Sequence, residues 1–232
     1  MEYVKDLETP AVIVDLDIME KNLKHTAELA RNAGVKLRPH CKTHKSIWIA
    51  KKQLEYGAAG ITVAKLSEAE VMVNGGIDDI LVAYPIVGEK KLKRLEKLIK
   101  RASIIVCTDS VEVSQGLSDL GVSMGRKIKT YVQVNSGLQR CGREPGEETV
   151  ELVKSIIGLP GIEIIGLITH AGFSYDYVGE DSIRAAAHKE ADALLTTQKM
   201  LEKEGIEIKE ISVGSTPTSK FIGEMSGVTE VR

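Results

Sequence analysis

Eight short apolar, β-branched runs recur along the 232 residues, each bounded by Gly, Pro or Asp and parted from the next by a longer amphipathic stretch. That alternation is the signature of repeated βα units around a parallel sheet. The runs span 35–41, 60–64, 79–85, 103–109, 129–135, 162–170, 210–215 and 227–232. Eight units predict an α/β fold, a closed (β/α)8 TIM-type barrel of parallel strands, although an open doubly wound sheet uses the same alternation. Residues 9–34 read as an extra strand, AVIV, and a helix placed before the first barrel strand. The eighth strand ends on Arg232, with no helix after it to cover it.

The helices carry their own punctuation. Ser67 and Glu70 have the spacing of a capping box, and Gly75 and Gly76 follow where that helix should stop. Over 183–204, Ile183, Ala186, Ala187, Leu194 and Leu201 fall near helical spacing, giving one face to pack on a sheet. A formal net charge of -2 leaves no global basic field to attract nucleic acid. Cys41, Cys107 and Cys141 form no CxxC pair, which argues against a disulfide framework or zinc ribbon and fits reduced thiols in the cytosol. No apolar run approaches the ~20 residues of a membrane span, and the charged N-terminus does not read as a targeting segment, so the expectation is a cytoplasmic protein.

In a barrel of this kind the reactive residues sit at the C-terminal ends of the strands. The first run ends in RPHCKTHKS, which offers His40, Cys41, Lys42, His44 and Lys45; the third offers Tyr84, the fifth Asn135 to Arg140, and the sixth His170 and Tyr175. After the seventh run, GSTPTS supplies Gly214, Ser215, Thr216 and Thr218, whose hydroxyls and backbone N–H groups suit a phosphate but suit a helix cap before a Pro turn equally well. Lys42 is either a surface lysine in a basic loop or, drawn into the barrel mouth beside other cations, an amine able to form a Schiff base with an aldehyde. Paired with a phosphate cradle across the barrel, it points to an aldehyde that also carries a phosphate, pyridoxal 5′-phosphate. His40 and His44 lack the intervening Glu of a helical zinc site, and at a strand end their spacing does not align them on one face. His170 and Arg140 could meet a flat ring and its phenolate oxygen, or serve structure and a salt bridge.

The motifs RPHCKTHKS, NSGLQRCG, THAGFSY and GSTPTS, in register from about residue 9 to 232, resemble the D-threonine aldolase and D-serine dehydratase family, which shares the alanine-racemase type of barrel. The resemblance implies pyridoxal phosphate held covalently by Lys42, with Arg140 near the ring oxygen and His170 beside the ring. It also implies Tyr175 in the pocket, and Gly214, Ser215, Thr216 and Thr218 at the phosphate. His44 and Lys45 are expected to orient the others. The implied reaction converts D-β-hydroxy amino acids, either by cleavage, as of D-threonine to glycine and acetaldehyde, or by dehydration. The family also uses a divalent metal held by a C-terminal β-domain, and no HxD or HxC ligand pair is found near the end of this sequence. The expectation is therefore the 1–232 barrel domain alone, without its closing β-domain, with the partner either that domain or a second copy in a homodimer. A racemase and a non-catalytic cofactor carrier use the same barrel.

Overall fold

The computed structural model describes residues 4–232. The strands are β1 (Lys36–Leu37), β2 (Ile61–Val63), β3 (Asp79–Pro85), β4 (Ser103–Thr108), β5 (Ile128–Gln133), β6 (Ile162–Ile168), β7 (Glu210–Val213) and β8 (Glu230–Val231). All pair in parallel in the order β1-β8-β7-β6-β5-β4-β3-β2. A parallel bridge between His40 and Thr62 joins the two ends of that row, with Thr62 N–H donating to Pro39 O and Cys41 N–H to Thr62 O, both at 2.8 Å. The ring is thereby closed, and the barrel reading holds over the open sheet.

The helices are α1 (Leu16–Asn32), α2 (Ile47–Glu55), α3 (Leu66–Asn74), α4 (Glu89–Ile99), α5 (Val111–Ser123), α6 (Glu147–Ile156), α7 (Glu180–Lys203) and the single turn α8 (Thr216–Ser219). The longer ones turn apolar residues toward the sheet. In α4, Leu95, Leu98 and Ile99 are buried while Lys and Glu face outward. In α7 the buried face holds Ala186, Ala187, Ala191, Leu194 and Leu201, as the spacing predicts. Asp15, Ser46 and Ser110 start α1, α2 and α5 by accepting a backbone N–H three residues on.

Three local expectations are corrected. The segment AVIV forms no strand: Val12, Ile13 and Val14 are exposed, and among the described residues no ladder includes them, because no sheet edge lies alongside. The eighth run keeps only Glu230 and Val231 as strand. Ser67 does not cap α3, since that helix already begins at Leu66; Glu68 instead takes the Ala64 N–H at 2.8 Å, and Glu70 pairs with Arg94. The helix does stop at Gly75, followed by Gly76 with φ +86°.

The main core lies between strands and helices, and a second, smaller one fills the barrel around Leu81, Ile105, Cys107, Tyr131 and Ile168. Beside it sits a buried ionic cluster. Arg38, next to β1, donates through Nε to Glu230 on β8 at 2.8 Å and through Nη1 to Asp79 on β3. Glu230 also accepts from Ser212 on β7 at 2.7 Å. Gly60 leaves room for this, because a Cβ there would lie 2.2 Å from Arg38 Nη1.

Arg38→Met should leave Glu230 buried without its counter-charge and cost about 3–5 kcal/mol in urea denaturation. Lys36→Met, which breaks the half-exposed Lys36–Glu210 pair at 2.5 Å, should cost under about 1 kcal/mol. Equal losses in the two variants would show that the cluster does not pin the barrel.

Candidate active site

A cavity of about 320 Å³ opens at the C-terminal ends of the strands, within the roughly 300–1,000 Å³ typical of small-molecule sites. Lys42, Arg140, His170, Tyr175, Gly214, Ser215 and Thr216 all line it, together with His40 and Tyr84. His44 and Thr218 do not; they stand behind the wall. Lys42, Arg140 and Arg232 give the lining three cations, and no Asp or Glu among the described residues lines it. Such a mouth concentrates anions.

The loops explain these placements. After β1 the chain turns, with Lys45 N–H donating to Cys41 O at 2.9 Å, and Lys45 takes a positive φ of 50°. The Lys45 ammonium pairs with Glu68, whose other oxygen holds Ala64, so the Lys42 turn is tied to the β2–α3 connection. The Cys41 thiol is buried and pushed up to about 12, which makes it a filler rather than a nucleophile. His44 Nδ1 accepts the Ser46 N–H at 3.0 Å. After β5, Asn135 Oδ1 accepts from Gly137 and Gln139 at 3.1 and 3.0 Å, which folds the loop that carries Arg140 to the cavity.

Both cavity histidines are neutral. Burial, then the charges of Lys42 and Arg232, lowers His40 to about 3. Burial likewise lowers His170 to about 4, against a hydrogen bond to Gly214 that favours the cation. Because a carbonyl only accepts, His170 Nδ1 carries the proton it shares with Gly214 O at 3.1 Å, leaving Nε2 unprotonated.

The GSTPTS segment forms the helix cap its residues allow and also borders the cavity. Ser215 caps α8 in a capping box with Thr218, and Ser215 and Thr216 also face the cavity. Gly214 has φ +135°, and a Cβ there would lie 2.7 Å from Arg232 O. Thr218 turns away, donating to Glu190 Oε1 at 2.5 Å.

Three residues at or beneath the site were not singled out from the sequence. Glu190, fully buried, reaches the Gly214 N–H from α7. Its signal was a carboxylate set among Ala186, Ala187, Ala191 and Leu194 on an apolar stripe. Arg232 directly follows β8, a position the strand-end rule already marked, and its Nη2 donates to Thr169 O. Gln133, the last residue of β5, is buried with its Oε1 unpartnered at the cavity.

Comparison with known proteins places the chain. Residues 14–232 match the alanine racemase, N-terminal domain family model. The chain belongs to the alanine racemase N-terminal domain family. Within reach of that family it is 32% identical over 229 residues to a D-threo-3-hydroxyaspartate dehydratase from Delftia sp. (strain HT23), and 32% identical over 226 residues to a D-threonine aldolase from Arthrobacter sp.. Each alignment covers 97% of this chain and 60% of the relative, so the chain spans about three fifths of the length of these proteins. The solved D-threonine aldolase from Filomicrobium marinum superposes with a TM-score of 0.93 at 35% identity, covering 99% of this chain and 62% of that one. The similarity to D-threonine aldolase implied by the sequence motifs is thus confirmed. No helix among the described residues is long and apolar enough to cross a membrane.

The neutral histidines of this alanine racemase N-terminal domain set a pH dependence. His170 binds its proton near 6.5 when unfolded and near 4 when folded, so its contribution is full above pH 6.5 and is lost as pH falls toward 4. The stability of wild type relative to His170→Gln, measured by urea denaturation, should be constant above about pH 6.5 and drop steadily below it. A difference that is flat down to pH 4 would mean that His170 is not held neutral by the fold.

Proposed function

We propose that this barrel binds pyridoxal 5′-phosphate and serves a lyase acting on D-β-hydroxy amino acids, with D-threonine cleaved to glycine and acetaldehyde as the type reaction. The observation that carries this reading is one cavity with a lysine, Lys42, on one strand end and a hydroxyl cradle, Ser215 and Thr216, on another. An aldehyde that bears a phosphate satisfies both at once. The rest of the lining fits the same ligand. Three cations and no carboxylate suit a phosphate and a substrate carboxylate, and the missing Cβ of Gly214 lets the cradle backbone pack against Arg232.

When bound, the cofactor supplies a ring that accepts electron density from the substrate Cα. The chain's own groups divide the remaining work. Lys42 would attach the cofactor and move a proton at the substrate Cα. Arg140 would hold the ring oxygen, and neutral His170 would pack beside the ring without adding a charge to it. Ser215 and Thr216 would hold the phosphate by their hydroxyls, with Thr218 bracing them from behind. Tyr175, more than half exposed at the rim, would meet the substrate and limit water. His44 would hold the turn that aims Lys42.

The family resemblance also calls for a divalent metal at the β-hydroxyl. Among the described residues no three His, Cys, Asp or Glu side chains gather where they could hold a metal ion, so no residue of this barrel is assigned to one. Small-molecule D-amino acids are the substrates of choice because the relatives by name act on D-threonine and D-threo-3-hydroxyaspartate.

Addition of pyridoxal phosphate should give an absorbance band near ~420 nm that borohydride traps on the protein, as expected for a cofactor lysine. Lys42→Ala should lose both the band and the trapped label. A band that survives in Lys42→Ala would move the attachment to another lysine, and absence of the band in wild type would overturn the reading. Assays on D-threonine and D-serine then separate cleavage from dehydration by whether an aldehyde or an α-keto acid appears.

A further inference from the structure

Glu190 is fully buried on α7, does not line the cavity, and yet holds three groups at or behind its wall. Its Oε2 accepts the Gly214 N–H at 3.1 Å, its Oε1 accepts the Thr218 hydroxyl at 2.5 Å, and it also takes the Ala171 N–H. From Thr218 the contacts continue to the cavity. Thr218 Oγ1 accepts the Ser215 N–H at 3.1 Å and lies 3.0 Å from Ser215 Oγ, which lies 2.8 Å from Ser174 Oγ.

Each hydroxyl has one proton to give, and Ser174 gives its own to Ala171 O at 2.7 Å, so its Oγ can only accept from Ser215; between Thr218 and Ser215 the row has two settings. With Glu190 ionised, Thr218 must donate to the carboxylate, Ser215 can donate back to Thr218, and Ser215 Oγ then shows lone pairs to the cavity. With Glu190 protonated, the carboxyl donates to Thr218, Thr218 donates to Ser215, and the Ser215 proton is freed from Thr218, held by Ser174 Oγ until an anion in the cavity takes it. An anion in the cradle prefers the second setting on two counts, the freed donor and the removal of a buried like charge.

We propose that Glu190 is a positioning residue whose proton sets the direction of the Thr218–Ser215 hydroxyl row, so that an oxyanion enters the cradle together with one proton. This rests on the reading of Ser215 and Thr216 as the phosphate cradle. Burial raises Glu190 to about 7, against the hydrogen bonds from Thr218 and Gly214 and the charge of Arg232. The groups that act on it are Gly214 just after β7, Thr218 on α8, Ala171 after β6 and the charge of Arg232 just after β8. His40 and His170, at about 3 and 4, do not titrate in the same range.

The test uses sulfate, which carries two charges throughout the range and adds no titration of its own. Its dissociation constant is measured by equilibrium dialysis with the full 232-residue chain from pH 6 to 8.5, at fixed ionic strength, for wild type, Glu190→Gln and Ser215→Ala. Wild-type affinity should be level below about pH 7 and fall about tenfold per pH unit above it, with one proton taken up per sulfate. Glu190→Gln, whose amide donates to Thr218 at every pH, should hold the low-pH affinity across the whole range. Ser215→Ala should bind weakly throughout. A wild-type affinity that is flat with pH, or a Glu190→Gln profile that follows wild type, overturns the role of Glu190 and leaves the cradle standing. Sulfate binding that ignores Ser215→Ala, or no binding at all, overturns the cradle itself and the inference with it.

Discussion

The barrel depends on one buried guanidinium. Parallel strands as short as β1 and β8, two residues each, contribute too few ladder bonds to fix their own register, and the ring closes through them. Arg38 bridges Glu230 on one side and Asp79 on the other, and so ties β1 to β8 and to β3 across the barrel interior. Burying such a cluster costs desolvation that an apolar core would not, and its fixed, forked geometry gives register in return. A one-residue slip of β8 would turn Glu230 out of the barrel and leave Arg38 unpaired. Every strand end of the site, from His40 to Arg232, inherits its height on the barrel axis from that alignment.

The upper half of the barrel follows the opposite electrostatic rule. Below, charges are buried in pairs; at the mouth, cations line the wall with no carboxylate among them, and the imidazoles between them give up their charge. Burial is the larger cause for both histidines, and the neighbouring cations add to it. The result is a cavity that attracts anions through lysine and arginine while the ring-sized surface beside them stays neutral. That separation suits a ligand with a charged phosphate at one end and a flat aromatic body.

Most of the barrel and much of its mouth were legible because both depend on short-range patterns. Eight apolar runs mark strands, and the rule that function gathers at strand ends picks out Lys42, Arg140, His170 and Ser215 with no knowledge of packing. The misses come from what a chain meets only after folding. AVIV has strand composition but no edge beside it, and composition alone makes no ladder. Ser67 has the right spacing for a cap, but the helix begins two residues too early for it to serve. His44 and Lys42 are two residues apart, and only the turn at Cys41–Lys45 decides which of them reaches the cavity. Glu190 sits on a helix, where the strand-end rule never looks, and its importance lies in partners 24 and 28 residues away.

Gly214 shows how tightly these parts are joined, because each of its atoms is committed to a different partner. Its N–H is taken by Glu190, its carbonyl fixes the tautomer of His170, and the space where a Cβ would stand is filled by the backbone of Arg232. A side chain at this position would strain a φ of +135° and push β7 from β8 at once. The cradle, the neutral histidine and the last barrel strand therefore cannot move independently. A change in the hydrogen bonding of Glu190 is felt at His170 through one residue, which gives the hydroxyl-lined end of the cavity and its His170 wall a direct mechanical link.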